Sequence, residues 1–221
     1  GFHPLDNNIN TDVLIVGGGM AGILCGYKLK KAGVDCVLVE ADRICNGITK
    51  NTTAKITFQH GLIYDKLLNK FGIEKARMYL EAQRDACDEY ETLCKTINCD
   101  YEKKDSYVYS LNHRKKIENE VNSLNRIGCN AEFSESLDLP LKISGAVSIK
   151  SQAQFHPLKF AYNIANELPI YENTKVQELL PNTAKTNHGE INFKKLIITT
   201  HFPVLNKHGG YFIKLYQERS Y

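Results

Sequence analysis

Residues 11–40 read TDVLIVGGGMAGILCGYKLKKAGVDCVLVE and contain the strongest pattern in the chain. An apolar strand over residues 12–16 leads into a G-x-G-x-x-G spacing, and a helix with apolar periodicity follows. A second strand, residues 35–39, ends at an acid. This order of elements is the pattern of a dinucleotide-binding βαβ unit: a strand, a glycine turn, a helix and a second strand that ends in an acid about 20 residues on.

Each residue of the pattern has a physical reason. Gly17 permits the tight turn out of the strand, and Gly19 has no Cβ, so that a pyrophosphate can approach the backbone. Gly22 lets the helix pack close to the strand, and the N-terminus of the helix offers free N–H groups to the phosphates. Glu40 is placed to accept hydrogen bonds from a ribose diol. The motif alone does not separate FAD from NAD.

Composition excludes several classes of protein. The chain has 221 residues and a net charge of +3, and its lysines and arginines are scattered, which predicts no binding to nucleic acid. No apolar run is long enough to span a bilayer, and we expect no membrane association. The seven cysteines are odd in number and include no C-x-x-C pair, so we interpret them as reduced thiols of a cytoplasmic protein. Neither they nor the dispersed histidines have ligand spacing, so no metal site is predicted.

The order of elements predicts an α/β fold, namely a Rossmann-like nucleotide-binding domain with a parallel sheet, interrupted by an inserted sheet. A loop rich in Thr, Asn and Gly, residues 41–61, is expected to close over the ligand. Helices are predicted over residues 62–71 and 73–97, separated at Gly72, and an apolar strand typical of a parallel core over residues 196–200. The predicted segments are residues 1–99 and 149–203 for the nucleotide-binding domain, 100–148 for the insertion, and 204–221 for the start of a second inserted segment.

Six short blocks, in this order, resemble the FAD-dependent oxidoreductases of the D-amino-acid oxidase and glycine oxidase type. They are VGGGMAG with Glu40, NTTAK (51–55) followed by QHG (59–61), QFHPLKF (154–160), IYENTKV (170–176), LIITTHFP (196–203) and YQERSY (216–221). Each block is weak alone, but their order and spacing extend the resemblance from residue 12 to residue 221. The chain is most similar to a bacterial subgroup of amine oxidoreductases, some of which carry a Rieske iron–sulfur domain further along.

The resemblance implies contacts to FAD at the glycine turn, after the second strand, in the following loop and near two later strands. These residues are Gly17, Gly19, Met20, Ala21, Gly22, Glu40, Ala41, Asp42, Arg43, Thr49, Asn51, Thr52, Thr53, Val176 and Thr200. Candidates for substrate contact are His60, Tyr64, Tyr216 and Arg219, of which Arg219 could pair with a carboxylate. No catalytic residue is named, because such enzymes often need no protein acid or base when the amine binds unprotonated.

Two departures from the family pattern stand out. His201 occupies a position where the family has a small residue, and relatives continue well beyond Tyr221 with a second flavin-contacting segment. The sequence is therefore expected to be the N-terminal part of a longer enzyme, or a split or clipped one. In that enzyme the inserted sheet belongs to an α+β substrate domain.

The function implied by the resemblance is an FAD-dependent oxidoreductase that oxidises the C–N bond of an amine or amino acid by hydride transfer to the flavin. The imine would then hydrolyse to a carbonyl and an amine. Two alternatives stay open at this point. An NAD-dependent dehydrogenase would explain the glycines and Glu40 but not the later blocks. A non-catalytic, truncated dinucleotide-binding module is the other alternative.

Overall fold

The structure, a computed structural model, describes residues 1–202 and divides them into two compact units. The first unit comprises residues 1–53 and the described residues from Pro157 onward, and the second comprises residues 54–156. The strands in chain order are β1 (Ile9–Val16), β2 (Cys36–Val39), β3 (Lys55–Ile56), β4 (Glu102–Ser110), β5 (Glu132–Ser134), β6 (Gly145–Gln154), β7 (Ile170–Tyr171), β8 (Val176–Leu179), β9 (Thr183–Thr186) and β10 (Gly189–Ile198). The α-helices are α1 (Met20–Lys31), α2 (Tyr64–Cys94), α3 (Arg114–Arg126) and α4 (Pro157–Ala165).

The first unit is built on a six-stranded sheet in the order β7-β2-β1-β10-β9-β8. The first four strands are parallel, and β9 and β8 add an antiparallel edge. Helix α1 packs against β1, β2 and α4, as expected for a crossover helix between parallel strands. This arrangement confirms the predicted α/β fold with a parallel core. Residues 196–198 of the predicted strand form the end of the longer β10, and residues 199–200 lie beyond it.

The second unit is a smaller, antiparallel sheet with two helices. The long central strand β6 pairs with β4 along its length, with β3 near its C-terminal end and with β5 nearer its start. Helices α2 and α3 pack together, and α3 packs on β6, so that one sheet face is buried in an apolar core. Leu80, Ile117 and Leu124 in this core are fully buried.

Gly72 marks a kink within α2. The backbone there has φ 81° and ψ 172°, which is not helical and suits glycine. The two helices predicted on either side of Gly72 are therefore two parts of one long element, with the break at the predicted residue.

The division into units differs from the predicted segments. The units divide at residues 53/54 and 156/157, rather than at 99/100 and 148/149. Helix α2 belongs with the second unit because its apolar face, including Ala76 and Leu80, packs in the core with α3 and β6. Strand β6 extends to Gln154, which moves the second boundary toward the C-terminus. The predicted boundary after residue 203 lies outside the described residues.

Among residues 1–202, no helix combines the length and the apolar character needed to cross a membrane. The seven cysteines, all of which lie in this range, are free thiols.

Candidate functional site: a glycine turn and its supporting loop

The turn after β1 is held in place by backbone contacts that leave no room for side chains. Gly17 has φ +114°, and its N–H donates to the carbonyl of Val39 at 2.9 Å. A Cβ on Gly22 would lie 2.0 Å from the carbonyl oxygen of Gly17. Gly22 therefore allows α1 to pack directly on the turn, which is the role predicted for it.

Gly19 differs from these two glycines because open space surrounds it. A Cβ there would have only the hydroxyl of Thr49 nearby, at 3.6 Å. Gly19 is also the N-cap residue of α1 and has no side chain to cap the helix. The first turn of α1 contains no acidic residue. The turn thus places the N-terminus of α1, where the hydroxyl of Thr49 accepts from the N–H of Met20, beside an open approach, which suits an anionic pyrophosphate.

Glu40 follows β2 and reaches back to the turn. Its carboxylate accepts hydrogen bonds from the N–H of Gly18 at 2.7 Å and from the N–H of Asp42 at 3.0 Å. The half-buried carboxylate therefore already links the glycine turn to the following loop. Its predicted contact with a ribose would be made by the same oxygens, so Glu40 would serve both the fold and the ligand.

The loop after Glu40 folds back over the glycine turn. The N–H of Cys45 donates to the carbonyl of Gly18 at 2.9 Å, and Cys45 has a positive φ of 60°. Burial, with smaller contributions from the nearby Glu40 and Glu172 carboxylates, raises the pKa of the Cys45 thiol to about 11. The thiol is therefore neutral at physiological pH and acts as a buried packing group.

Glu172 holds this loop in place through hydrogen bonds to backbone N–H groups. The sequence analysis did not predict a role for it. Its buried carboxylate accepts from the N–H of Ile44 at 2.8 Å and from the N–H of Phe2 at 3.0 Å. One side chain thus joins the N-terminal residues, the loop and the segment after β7. The only sequence signal for it is its place within the IYENTKV block.

The other predicted loop residues lie close to the turn or on the surface. Thr49, in a short 3-10 helix, accepts a hydrogen bond from the N–H of Met20 at 3.2 Å and is 9% exposed. The side chain of Asp42 accepts from Asn46 at 2.6 Å. The remaining members are exposed, namely Ala21, Ala41, Arg43, Asn51, Thr52 and Thr53. Exposed polar groups around a helix N-terminus are available to a ligand.

Two predicted residues come from later strands. Val176 begins β8 and its side chain is buried in the core of the first unit, which leaves only its backbone for the predicted adenine contact. Thr200 is half-buried and donates to the carbonyl of Phe202 at 2.7 Å. Its neighbour Thr199, which we did not predict, contacts the turn instead, because its hydroxyl donates to the carbonyl of Gly17 at 2.9 Å. His201 is exposed, with its ring against that of Phe202.

Of the four candidates for substrate contact, His60 and Tyr64 lie among the described residues, in the second unit. His60 is exposed and its Nε2 lies 3.2 Å from Oε1 of Gln83. Tyr64 is fully buried, and its hydroxyl donates to the carbonyl of Phe58 at 2.6 Å. Burial raises the pKa of Tyr64, so its phenol stays protonated. We therefore withdraw Tyr64 as a substrate contact and assign it to the core. Tyr216 and Arg219 lie outside the described residues.

The first unit thus fits the adenosine and pyrophosphate portions of a dinucleotide. Gly19 leaves space for a phosphate, the N-terminus of α1 carries the positive end of the helix dipole, and Glu40 supplies acceptor oxygens beside them. Within residues 1–202, no group of three or more His, Cys, Asp or Glu side chains is arranged to hold a metal ion.

Comparison with known proteins gives the class. The chain matches the family of FAD dependent oxidoreductases designated DAO over residues 12–221, and it belongs to that family. FAD is the cofactor of this family, so the NAD-dependent dehydrogenase alternative is wrong.

The relatives are bacterial. The chain is 34% identical over 233 residues to YhfW of Bacillus subtilis (strain 168), which is named as a Rieske 2Fe-2S iron-sulfur protein, and the match covers 100% of this chain and 46% of YhfW. It is 26% identical over 222 residues to the gamma-glutamylputrescine oxidoreductase of Escherichia coli (strain K12), with 89% of this chain and 50% of that protein covered. The chain therefore spans about half the length of these curated relatives.

Solved structures confirm the fold. The glycine oxidase of Geobacillus kaustophilus superimposes with a TM-score of 0.68 at 16% identity, covering 86% of this chain and 55% of that one. The L-proline dehydrogenase from P. horikoshii has a TM-score of 0.67 at 14% identity, covering 89% of this chain and 54% of that one. At such low identity these similarities concern the fold alone.

Proposed function

We propose that the whole protein oxidises the C–N bond of an amine or amino acid, and that the resulting imine is hydrolysed to a carbonyl compound and an amine. FAD, when bound, would supply the two-electron acceptor for the hydride that leaves the carbon bearing nitrogen. The gamma-glutamylputrescine oxidoreductase, glycine oxidase and amino acid deaminases among the similar proteins support this substrate class.

The observation that carries the proposal is the open approach at Gly19 between two closely packed glycines. Gly17 and Gly22 are glycines because the protein itself fills the space around them, whereas the free protein leaves the space beside Gly19 almost empty. Folding does not require a glycine at position 19. In a family that binds FAD, the glycine there is explained by a ligand that approaches the backbone.

Residues of the first unit would divide the binding task. The first turn of α1, from Gly19 to Gly22, would hold the pyrophosphate, and Glu40 would hold the adenosine ribose. Thr49 positions the start of α1 through its bond to the N–H of Met20. Glu172 and Cys45 keep the loop against the turn, so that the N–H and carboxylate groups are oriented before the ligand arrives.

We propose that the first unit is the FAD-binding domain and the second is part of a substrate domain. A Rieske domain elsewhere in the full-length protein is supported by the similarity to YhfW, and would make an iron–sulfur cluster the partner that receives electrons. A cytoplasmic location is supported by the free thiols. These assignments are proposals for the whole protein. The chain itself spans about half the length of the two curated relatives.

The test uses the full-length protein purified without added cofactor. We expect it to show the visible absorbance of bound flavin, and we expect an amine or amino acid from a panel to bleach that absorbance when oxygen is absent. A panel of the corresponding alcohols serves as the matched control and should leave the absorbance unchanged. Retained flavin that no amine or amino acid reduces would refute the proposed reaction and favour the non-catalytic alternative.

A further inference from the structure

Two cysteines of the second unit lie side by side. Cys94 is the last residue of α2, and Cys99 lies in the loop that follows the helix. Both are buried, and a hydrogen bond joins their side chains. The thiols of Cys36 and Cys45 differ in this respect, because they donate to backbone carbonyl groups, at 3.7 and 3.8 Å. We call Cys94 and Cys99 the thiol pair.

The loop between the two cysteines is short and is held at both ends. The N–H of Ile97 donates to the carbonyl of Leu93 at 3.2 Å, which extends the end of α2 by a turn. The carbonyl of Cys99 accepts from the N–H of His156 at 2.6 Å. Asp100, with a φ of 53°, adopts the left-handed conformation that aspartate tolerates better than most residues. The backbone therefore keeps the two thiols in contact.

A cavity of about 500 Å³ gives small molecules access to the thiol pair. It is lined by Glu91 and by residues 94–101, so both cysteines border the same space. Buried structural cysteines are normally inert, because reagents do not reach their sulfur atoms. The thiol pair differs from them, since a molecule close to water in size can enter this cavity and meet both sulfur atoms.

The hydrogen bond between the two thiols has a direction. Burial, followed by the hydrogen bond to Cys99 and the nearby Glu91 carboxylate, raises the pKa of the Cys94 thiol to about 12. A hydrogen bond raises the pKa of a thiol when that thiol is the donor, because the bond then stabilises the protonated form. The S–H of Cys94 therefore donates to the sulfur of Cys99. This arrangement makes Cys99 the attacking sulfur and Cys94 the thiol that reacts second.

We propose that the thiol pair is a redox site, which hydrogen peroxide oxidises to a disulfide between Cys94 and Cys99. In the first step the Cys99 sulfur attacks a peroxide oxygen, so that an S–O bond forms and the O–O bond breaks. The departing hydroxide takes up the proton that Cys99 releases, which gives a sulfenic acid and water.

The second step closes the disulfide. The Cys94 sulfur attacks the Cys99 sulfur, an S–S bond forms, and the S–O bond breaks. The departing hydroxide takes the proton of Cys94 and leaves as a second water. The two thiols thus lose two electrons and two protons, and one peroxide is reduced to two waters. The site uses neither the flavin nor an amine, so it is independent of the proposed amine oxidation.

The experiment treats the full-length protein with hydrogen peroxide, blocks the remaining thiols and maps the tryptic peptides without reduction. Trypsin cleaves after Lys95, between the two cysteines, so that Cys94 falls in the peptide 85–95 and Cys99 in the peptide 96–103. A disulfide of the thiol pair therefore joins two peptides that are otherwise separate. Fragmentation of the joined species assigns the cysteines that are linked.

Cys87 provides a matched control because it lies in the same tryptic peptide as Cys94. It precedes Cys94 on α2 by about 10 Å of helix rise and lines a different cavity. We expect the wild-type protein and Cys87→Ser to give the joined peptides, and dithiothreitol to separate them. The joined peptides should form at least about tenfold faster than the buried Cys129 is oxidised.

Two further variants test the order of the steps. Cys94→Ser and Cys99→Ser should both fail to give the joined peptides. Cys94→Ser should also accumulate a sulfenic acid at Cys99, which dimedone traps, because the thiol that reacts second is missing. Thermal unfolding is recorded for each variant.

Phenylarsine oxide supplies a measurement that needs no variant, because its arsenic bridges two neighbouring thiols. The reduced wild-type protein should bind this probe through Cys94 and Cys99. Peroxide should then no longer join the two peptides, and removal of the probe with an excess of dithiol should restore the reaction.

The inference is overturned if peroxide leaves the peptide 96–103 unjoined in the wild-type protein, or if the joined peptides disappear in Cys87→Ser. It is also overturned if dimedone does not label Cys99 in folded Cys94→Ser, or if phenylarsine oxide leaves the joining unchanged. Joined peptides found only in protein that migrates as a dimer on a non-reducing gel would contradict it too, because the disulfide would then link two chains.

Discussion

The same small change, glycine to alanine, should have opposite consequences at two positions of the nucleotide turn. At Gly22 the new Cβ would lie 2.0 Å from the backbone oxygen of Gly17, so helix and turn must move apart. At Gly19 the new Cβ would meet only Thr49, at 3.6 Å, and the backbone, with φ −81° and ψ −177°, suits alanine. We therefore expect Gly22→Ala to damage the fold and Gly19→Ala to damage cofactor binding.

The expected magnitudes follow from these distances. Forcing a methyl group into the packed contact at Gly22 should cost about 1–3 kcal/mol of unfolding free energy. At Gly19, the loss of a glycine N-cap and the gain from a stiffer unfolded chain offset each other, which leaves the change within about 1 kcal/mol. Displacing a phosphate from one charge-assisted hydrogen bond at Gly19 would cost ~1.5–3 kcal/mol, or roughly a ten- to hundredfold loss of FAD affinity.

The assay has two parts. Urea unfolding of the FAD-free protein gives the stability of each variant, and titration of FAD into the same samples, followed by flavin fluorescence, gives the affinity. Gly19→Ala with normal stability and weakened FAD binding supports the assignment. Full FAD affinity in Gly19→Ala would refute it, and so would a loss of stability in that variant equal to the loss in Gly22→Ala.

Three further predictions concern buried or half-buried groups. Glu40→Ala should lower FAD affinity by about ten- to hundredfold through the loss of a charge-assisted bond, and unchanged flavin retention would remove Glu40 from the ribose role. Glu120→Ala should lower the unfolding free energy by roughly 2–4 kcal/mol. The reason is that the buried carboxylate of Glu120 accepts hydrogen bonds from the N–H groups of Tyr64 and Asp65, at 2.8 Å each. A change below ~0.5 kcal/mol in urea unfolding would contradict this. Burial raises the pKa of the Cys45 thiol to about 11, so its alkylation rate should still rise about tenfold per pH unit between roughly pH 8 and 10. In the same range the alkylation rate of a free cysteine peptide levels off. A rate plateau near pH 9 for Cys45, measured by peptide mapping, would show that burial does not hold its proton.

Local patterns predicted the core of the first unit. The roles of Gly17 and Gly22 could be read from their spacing because a turn and the helix that follows it are determined by neighbouring residues. The break at Gly72 was predictable for the same reason, since a glycine at the end of an apolar-periodic segment favours a non-helical conformation.

Contacts between distant segments could not be read in this way. Glu172 binds backbone groups more than 120 positions earlier, and Glu120 caps the start of α2 across more than 50 positions, so no local pattern reveals either. Tyr64 was misassigned because a tyrosine at the start of a helix near a predicted ligand loop looks accessible, whereas α3 and its neighbours bury it. The compact units divide at other positions than 99/100 and 148/149 for a related reason, because helix α3, against which α2 packs, lies later in the chain.

The central claim is that the glycine turn of the first unit holds FAD. Its most direct test is to purify the full-length protein without added cofactor, denature it, and identify and quantify the released nucleotide by chromatography. The account predicts FAD in a stoichiometric amount with the wild-type chain, and strongly depleted FAD with Gly19→Ala at unchanged stability. Recovery of NAD instead of FAD, or of equal FAD from both proteins, would contradict it.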